Sequence, residues 1–155
     1  MNTAYLGLGS SLGKKEHTLL LAIENLKQYG VIIKTSSFFY NSAWGGVAQN
    51  TFVNMALEIQ TPLSPEALLE ACQKIENTHG RSREEKWNDR SLDIDILCYN
   101  KIEITSKNLN IPHPLIPKRD FVLKPLKEIS SFIIVKEKLK ILKNTYSEKT
   151  YTQIL

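Results

Sequence analysis

The stretch Thr51-Phe52-Val53-Asn54-Met55-Ala56-Leu57-Glu58-Ile59-Gln60-Thr61, followed closely by Ser64-Pro65-Glu66, decides the fold. Its first part alternates with period two, the mark of a strand: Val53, Met55, Leu57 and Ile59 face one way. Phe52, Asn54, Ala56 and Glu58 face the other. Ser64 is a helix N-cap, Pro65 fits the first helical position, and Glu66 complements the positive helix start. The helix so opened runs to about His79, with Leu68, Leu69, Cys72 and Ile75 on its apolar stripe and Gly80 as terminator. A strand with one apolar face leading into a helix with one apolar stripe is half of a two-layer α+β domain.

The flanking segments supply the other half. Thr3–Leu8 reads as a short strand ending in the turn-rich Gly7-Leu8-Gly9-Ser10-Ser11-Leu12-Gly13. Lys15–Tyr29 is a helix, with Leu19, Ala22, Ile23 and Leu26 at i, i+3, i+4 and i+7, stopped by Gly30. Val31–Tyr40, β-branched and aromatic, is a strand, and Asn41–Asn50 is a loop. After the second helix come the polar decapeptide Arg81–Arg90 and a strand Ser91–Tyr99. A turn at Tyr99-Asn100-Lys101 leads to Ile102–Thr105, read as the return strand of a hairpin. A short helix is expected around Pro117–Phe121, and mixed short elements from Ser130 on. The order β-α-β-β-α-β predicts a split βαβ arrangement, an antiparallel sheet with helices on one face.

Composition sets the class. With 155 residues, 42% hydrophobic and 23% charged, the chain is read as one globular domain spanning residues 1–155. The apolar run Leu19–Ile23 is far shorter than the ~20 residues of a membrane span, and mean hydropathy is -0.23. Met1–Tyr5 shows no basic n-region and no apolar h-region, so a cytoplasmic protein is expected. Net charge is +4, which suits a phosphate-bearing ligand or nucleic acid and decides neither. Cys72 and Cys98 each sit in an apolar pattern without CxxC spacing, which reads as two buried reduced thiols rather than zinc or a disulfide framework.

The chemistry centres on Asp93-Ile94-Asp95 inside an otherwise apolar strand. Alternation puts Leu92, Ile94, Ile96 and Cys98 on one face and Asp93, Asp95 and Leu97 on the other. The two carboxylates therefore point the same way, their Cα atoms about 6.5 Å apart at roughly 3.3 Å per residue. Like charges so close repel unless a cation lies between them, and hard divalent cations favour such oxygen donors. The bland reading, two aspartates on a solvated edge, is equally open for the pair alone. Arg81, Arg83, Lys86 and Arg90, with Trp87 among them, lie within the preceding decapeptide or close it. Carboxylate-held metal beside an arginine loop is what phosphoryl transfer requires. Neither the P-loop nor the Rossmann glycine spacing fits, since Leu8 stands five before Gly13 and three residues separate Gly9 from Gly13. His113, fixed between Pro112 and Pro114, stands a few residues before Lys118 and Arg119.

Taken together, several ordered motifs closely resemble the 6-hydroxymethyl-7,8-dihydropterin pyrophosphokinase family of folate biosynthesis. They are Glu76-x3-Gly80-Arg81-x-Arg83, Trp87, Asp89-Arg90-Ser91-Leu92-Asp93-Ile94-Asp95-Ile96-Leu97 and Ile111-Pro112-His113-Pro114-x4-Arg119-x-Phe121. Tyr5–Ser10 and Phe52-Val53-Asn54 look like the same family, and the resemblance covers about residues 3 to 126. It implies a ferredoxin-like α+β monomer that moves pyrophosphate from ATP to the pterin hydroxymethyl group and releases AMP. It also implies that Asp93 and Asp95 hold two Mg2+ ions and that Arg81 and Arg90 are catalytic, engaging the phosphates. Gln73, Glu76, Arg83, Ile96, His113 and Arg119 match positions lining the nucleotide. Trp87 and Phe121 match an aromatic pair bracketing the pterin, Asn54 the side chain reading its polar edge, and Ser42, Ala43 and Trp44 its backbone contacts and walls. The chain departs from the family at Ser11, where Asn is common, and over Asn41–Trp44, where a Thr-Pro-rich segment is usual. It departs again at Asn108, where some members carry a basic residue. Lys136, Lys138, Lys140 and Lys143 lie outside the match and read as a solvated face. The rival reading is a nucleic-acid module, because a basic βαββαβ domain is also the shape of an RNA recognition motif. Such a module needs stacking aromatics on the central strands, where this chain offers Asp93 and Asp95.

Overall fold

The chain runs β1 (Asn2–Ser10), α1 (Lys15–Leu26), β2 (Val31–Thr35), β3 (Phe39–Asn41), β4 (Phe52–Thr61), α2 (Pro65–Thr78), β5 (Asp93–Tyr99), β6 (Ile104–Thr105), β7 (Asn110–Ile111) and α3 (Asp120–Ile129). These elements come from a computed structural model that describes residues 1–41, 51–79, 91–114, 116 and 119–130. The main sheet is antiparallel with strand order β2-β4-β1-β5, and β3 also pairs with β4. Counting β2 and β3 as one interrupted strand, this is the expected α+β, ferredoxin-like split βαβ order.

The alternation that opened the sequence reading sets the layers. Val53, Met55, Leu57 and Ile59 are buried against Leu19 and Leu26 of α1 and Leu68, Cys72 and Ile75 of α2. Each such aliphatic side chain stabilises the fold by roughly 1.5–3 kcal/mol on full burial. Ser64 caps α2 through its Oγ, which accepts from the Ala67 N–H at 3.2 Å. Helix α1 ends at Leu26 rather than Tyr29, because the Gln28 and Tyr29 N–H groups bond the Asn25 and Leu26 carbonyls three residues back, tightening the last turn.

Five expectations need correcting. The glycines at 7 and 9 lie inside β1, which continues to Ser10, so the turn begins only at Ser11. Val31–Tyr40 is two strands: the Ser36 N–H donates to the Ala56 carbonyl (2.8 Å) while the Ser36 Oγ accepts from the Ala56 N–H (2.9 Å). A side-chain acceptor thus replaces a backbone one and breaks the ladder. At that break Ser37 donates through both N–H and Oγ to the Glu128 carboxylate of α3, each at 2.8 Å. Ile104–Thr105 pairs with β7 and not with β5. Asn100, at φ 49°, instead folds its amide back onto β1, accepting from the Thr3 N–H at 2.8 Å. Cys98 lies on the same side as Leu97, because Leu6 faces Ile96 while Tyr5 faces Cys98 and Leu97 is the extra residue of a bulge.

The last correction matters most for the site. Helices do not keep to one face: α3, ten residues instead of the short turn expected at Pro117–Phe121, packs on the opposite side of the sheet. Leu123, Leu126 and Ile129 of α3 bury there against Tyr5, Ala56, Leu97 and Cys98. Both thiols are free and buried, as their apolar patterns predict, though on opposite faces.

Candidate active site

On the face that α3 covers only in part, strand register lines up two rows of residues. Asn54 pairs with Gly9 and Gly9 with Asp93; in the next row Ala56 pairs with Gly7 and Gly7 with Asp95. Strands are ~4.8 Å apart, so Asn54 and Asp93 stand roughly 10 Å apart across a strand with no side chain between them. The two glycines thus floor a corridor with an amide on one wall and two carboxylates on the other. The resulting cleft holds about 240 Å³, with Asn41 and Phe52 extending the amide wall and Arg119, Phe121 and Val122 entering from the start of α3. The Arg119 guanidinium sits 5.4 Å from the Phe121 ring centroid, a cation–π distance.

A second hollow of about 200 Å³ lies along β5, lined by Ile94, Asp95, Ile96, Asn108, His113 and Pro114 among others. Asp95 lines both spaces and is exposed, whereas Asp93 is half-buried in the first. The bulge that turned Cys98 also holds the histidine, whose backbone N–H donates to the Leu97 carbonyl at 2.9 Å. Burial pushes the His113 imidazole below its ordinary range; Asp95 pulls it up and Arg119 pushes it down again.

Glu76 is the buried carboxylate of α2, and its Oε2 accepts from the Ile94 N–H at 2.9 Å. Among the described residues β5 is the sheet edge, so alternate N–H groups there have no described strand beside them, and this one lies between the two aspartates. The contact ties α2 to the carboxylate-bearing backbone. Gln73, one turn earlier, is exposed and lines neither hollow.

Of the residues singled out from the sequence, Asn54, Asp93, Asp95, Arg119 and Phe121 meet in the first hollow, and Asp95, Ile96 and His113 in the second. Ser42, Ala43, Trp44, Arg81, Arg83, Trp87 and Arg90 lie outside the described residues. Sequence reading missed Phe52, Asn41 and the two strand glycines as walls and floor. The signal for Phe52 was present, since it shares the period-two face of Asn54; Gly7 and Gly9 were hidden by their resemblance to a turn.

No group of three or more His, Cys, Asp or Glu side chains among the described residues makes a complete metal cage. Two aspartates on one strand face nevertheless fit a hard cation that draws its other oxygens from phosphate and water.

Known proteins match this chain closely. The family model described as 7,8-dihydro-6-hydroxymethylpterin-pyrophosphokinase (HPPK) matches residues 5–131. A 2-amino-4-hydroxy-6-hydroxymethyldihydropteridine pyrophosphokinase of Aquifex aeolicus is 42% identical over 134 residues, covering 86% of this chain and 84% of its own. One of Bacillus subtilis is 44% identical over 130 residues, covering 83% and 78%. A crystal structure of Plasmodium falciparum HPPK-DHPS with pteroate superposes with a TM-score of 0.71 at 16% identity, covering 98% of this chain and 43% of that one. At that identity the likeness speaks for the fold alone.

Proposed function

The chain belongs to the 7,8-dihydro-6-hydroxymethylpterin pyrophosphokinase family, and from that premise we propose how its residues divide the work. It is a diphosphotransferase of folate biosynthesis that moves pyrophosphate onto the hydroxymethyl group of the dihydropterin. The observation that carries the assignment of residues is the corridor: Asn54 faces Asp93 across Gly9, and Asp95 borders the hollow on its other side as well.

The pterin occupies the corridor. Asn54 takes its polar edge, and the Phe121 ring offers a stacking surface whose partner is Trp87. Ser42, Ala43 and Trp44 supply the pterin contacts that the family resemblance gives them. ATP lies along β5 with its base end near Ile96 and its phosphates toward Asp95, His113 and Arg119, so the two substrates meet at the aspartates. Two Mg2+ ions would be held by Asp93 and Asp95, and when bound they neutralise charge on the phosphate oxygens. Asp93 and Asp95 project from a strand that Glu76 and β1 hold in place, so the backbone that carries them is set before substrate arrives. Arg81, Arg83, Arg90 and Arg119 counter the charge that develops as the pterin hydroxyl attacks the β-phosphorus and the α–β bridge breaks, leaving AMP.

One domain over residues 1–155, acting as a cytoplasmic monomer on these small molecules, completes the proposal. Helix α3 also covers part of the sheet face that an RNA recognition motif would present to bases, which favours the small-molecule reading over nucleic acid.

Incubation with ATP, Mg2+ and 6-hydroxymethyl-7,8-dihydropterin should give AMP and the pterin diphosphate. Asp93→Asn and Asp95→Asn should fold and lose about 10²–10³ in kcat, the usual cost of one electrostatic contact made in the transition state. ADP as the nucleotide product, or a folded double variant with near-normal turnover, refutes the proposal.

A further inference from the structure

Asn54 is held by a neighbour to which neither the sequence patterns nor the family resemblance gives a role. Its Nδ2 donates to Oδ1 of Asn41, the last residue of β3, which stands diagonally across the β3–β4 ladder and lines the same cleft. The Asn54 Oδ1 points the opposite way, over β1, where a Cβ at Gly9 would fall 2.7 Å from it. Asn54 therefore has a nitrogen end engaged with β3 and an oxygen end lying over the bare floor of the corridor.

An amide left to itself turns over easily, since its two ends have nearly the same shape and opposite hydrogen-bonding character. We propose that Asn41 is a positioning residue that fixes the Asn54 amide with its oxygen toward the ligand, and so determines which heterocycles the cleft accepts. The ligand class is a flat heterocycle presenting N–H donors to Asn54, such as a ring N–H beside an exocyclic amino group. A heterocycle with a carbonyl in place of that amino group would set oxygen against oxygen and be rejected. The inference rests on the pterin reading of the cleft and deepens it. Discrimination is strong at such sites because the wrong ligand leaves a buried polar group unpaired.

The test is equilibrium titration, by ligand fluorescence in the presence of a non-hydrolysable ATP analogue. The probes are 6-hydroxymethylpterin and the 2-oxo analogue in which oxygen replaces the exocyclic amino group. The wild-type chain should prefer the pterin by about tenfold or more. Asn41→Ala frees the amide to turn and present its N–H groups, so the preference should shrink to within about threefold while affinity for the ATP analogue alone stays as it was. Asn41→Asp can only accept, which forces the same Asn54 orientation, so it should keep the wild-type preference. Should Asn41→Ala fail to fold, Asn41→Leu, close in volume and without an acceptor, takes its place.

An unchanged preference in Asn41→Ala or Asn41→Leu, or its loss in Asn41→Asp, overturns the inference. So does a wild-type chain that binds both heterocycles equally. A wild-type chain that binds no pterin at all instead defeats the reading of the cleft on which the inference rests, and the two failures are thereby told apart.

Discussion

Adding one methyl group at Gly9 tests the corridor directly. The new Cβ would stand 2.7 Å from Asn54 Oδ1, about 0.7 Å short of the 3.4 Å at which ordinary contact begins. The Asn54 amide must therefore swing away, abandoning Asn41 and the orientation facing the cleft. Because the obstructed atom is the end of a side chain, the fold should absorb the change cheaply. Replacing glycine by alanine also restricts the unfolded chain, which contributes about 0.4–1 kcal/mol in the opposite direction. Net stability should thus stay within about 1 kcal/mol of the wild type. Pterin binding has no such offset: a displaced amide leaves the ligand's buried donors unpaired at about 1–3 kcal/mol, or roughly 5- to 150-fold in Kd. Gly7→Ala is the comparison, because its Cβ would meet Leu97 at 3.4 Å and leave Asn54 alone. Calorimetric titration with pterin and a non-hydrolysable ATP analogue, alongside thermal melts, gives both quantities. A folded Gly9→Ala protein that binds pterin within twofold of wild type, or no more weakly than Gly7→Ala does, refutes the reasoning.

Three further outcomes are expected. Glu76→Gln keeps an acceptor for the Ile94 N–H, whereas Glu76→Ala leaves that buried group unpaired at about 1–3 kcal/mol, so only the alanine variant should melt several degrees lower; equal melting temperatures refute the tie. His79, whose imidazole is pushed below 6.5 by burial at the end of α2, resists a proton that the unfolded chain accepts. Its contribution is therefore complete above pH 6.5 and is lost as pH falls toward the folded value. Denaturant titrations from pH 7.5 to 5 should show declining stability, and His79→Gln should flatten part of that slope, an unchanged slope counting against it. Burial pushes both the Cys72 and Cys98 thiols up to about 12, so a thiol-specific reagent at pH 8 should label neither before the chain unfolds; labelling faster than unfolding contradicts their burial.

Much of the fold could be read along the chain because local rules govern it. The alternation in Thr51–Thr61 identified β4 and both of its faces, and Ser64-Pro65-Glu66 placed the start of α2 at the right residue. The spacing of Asp93 and Asp95 put two carboxylates on one face of β5, since period two is a property of the strand itself. These signals act over a few residues and need no partner to be recognised.

Where a partner decides, the chain alone was mute. Gly7 and Gly9 looked like a turn, and only their pairing with β4 and β5 shows them to be the floor between Asn54 and the aspartates. Leu97 becomes a bulge because β1 and β5 must match registers, which turns Cys98 over and frees a carbonyl for His113. The second face of the sheet looked solvent-bound until α3 packed on Ala56 and Leu97, bringing Arg119 and Phe121 over a cleft whose walls lie some forty and seventy residues apart along the chain. Register and packing depend on contacts between distant segments, and no local pattern encodes them. The sequence by itself therefore determined the faces of β4, the start of α2 and the shared face of Asp93 and Asp95, while the tertiary structure alone decided how β5 turns beyond its bulge and which side chains share a cleft.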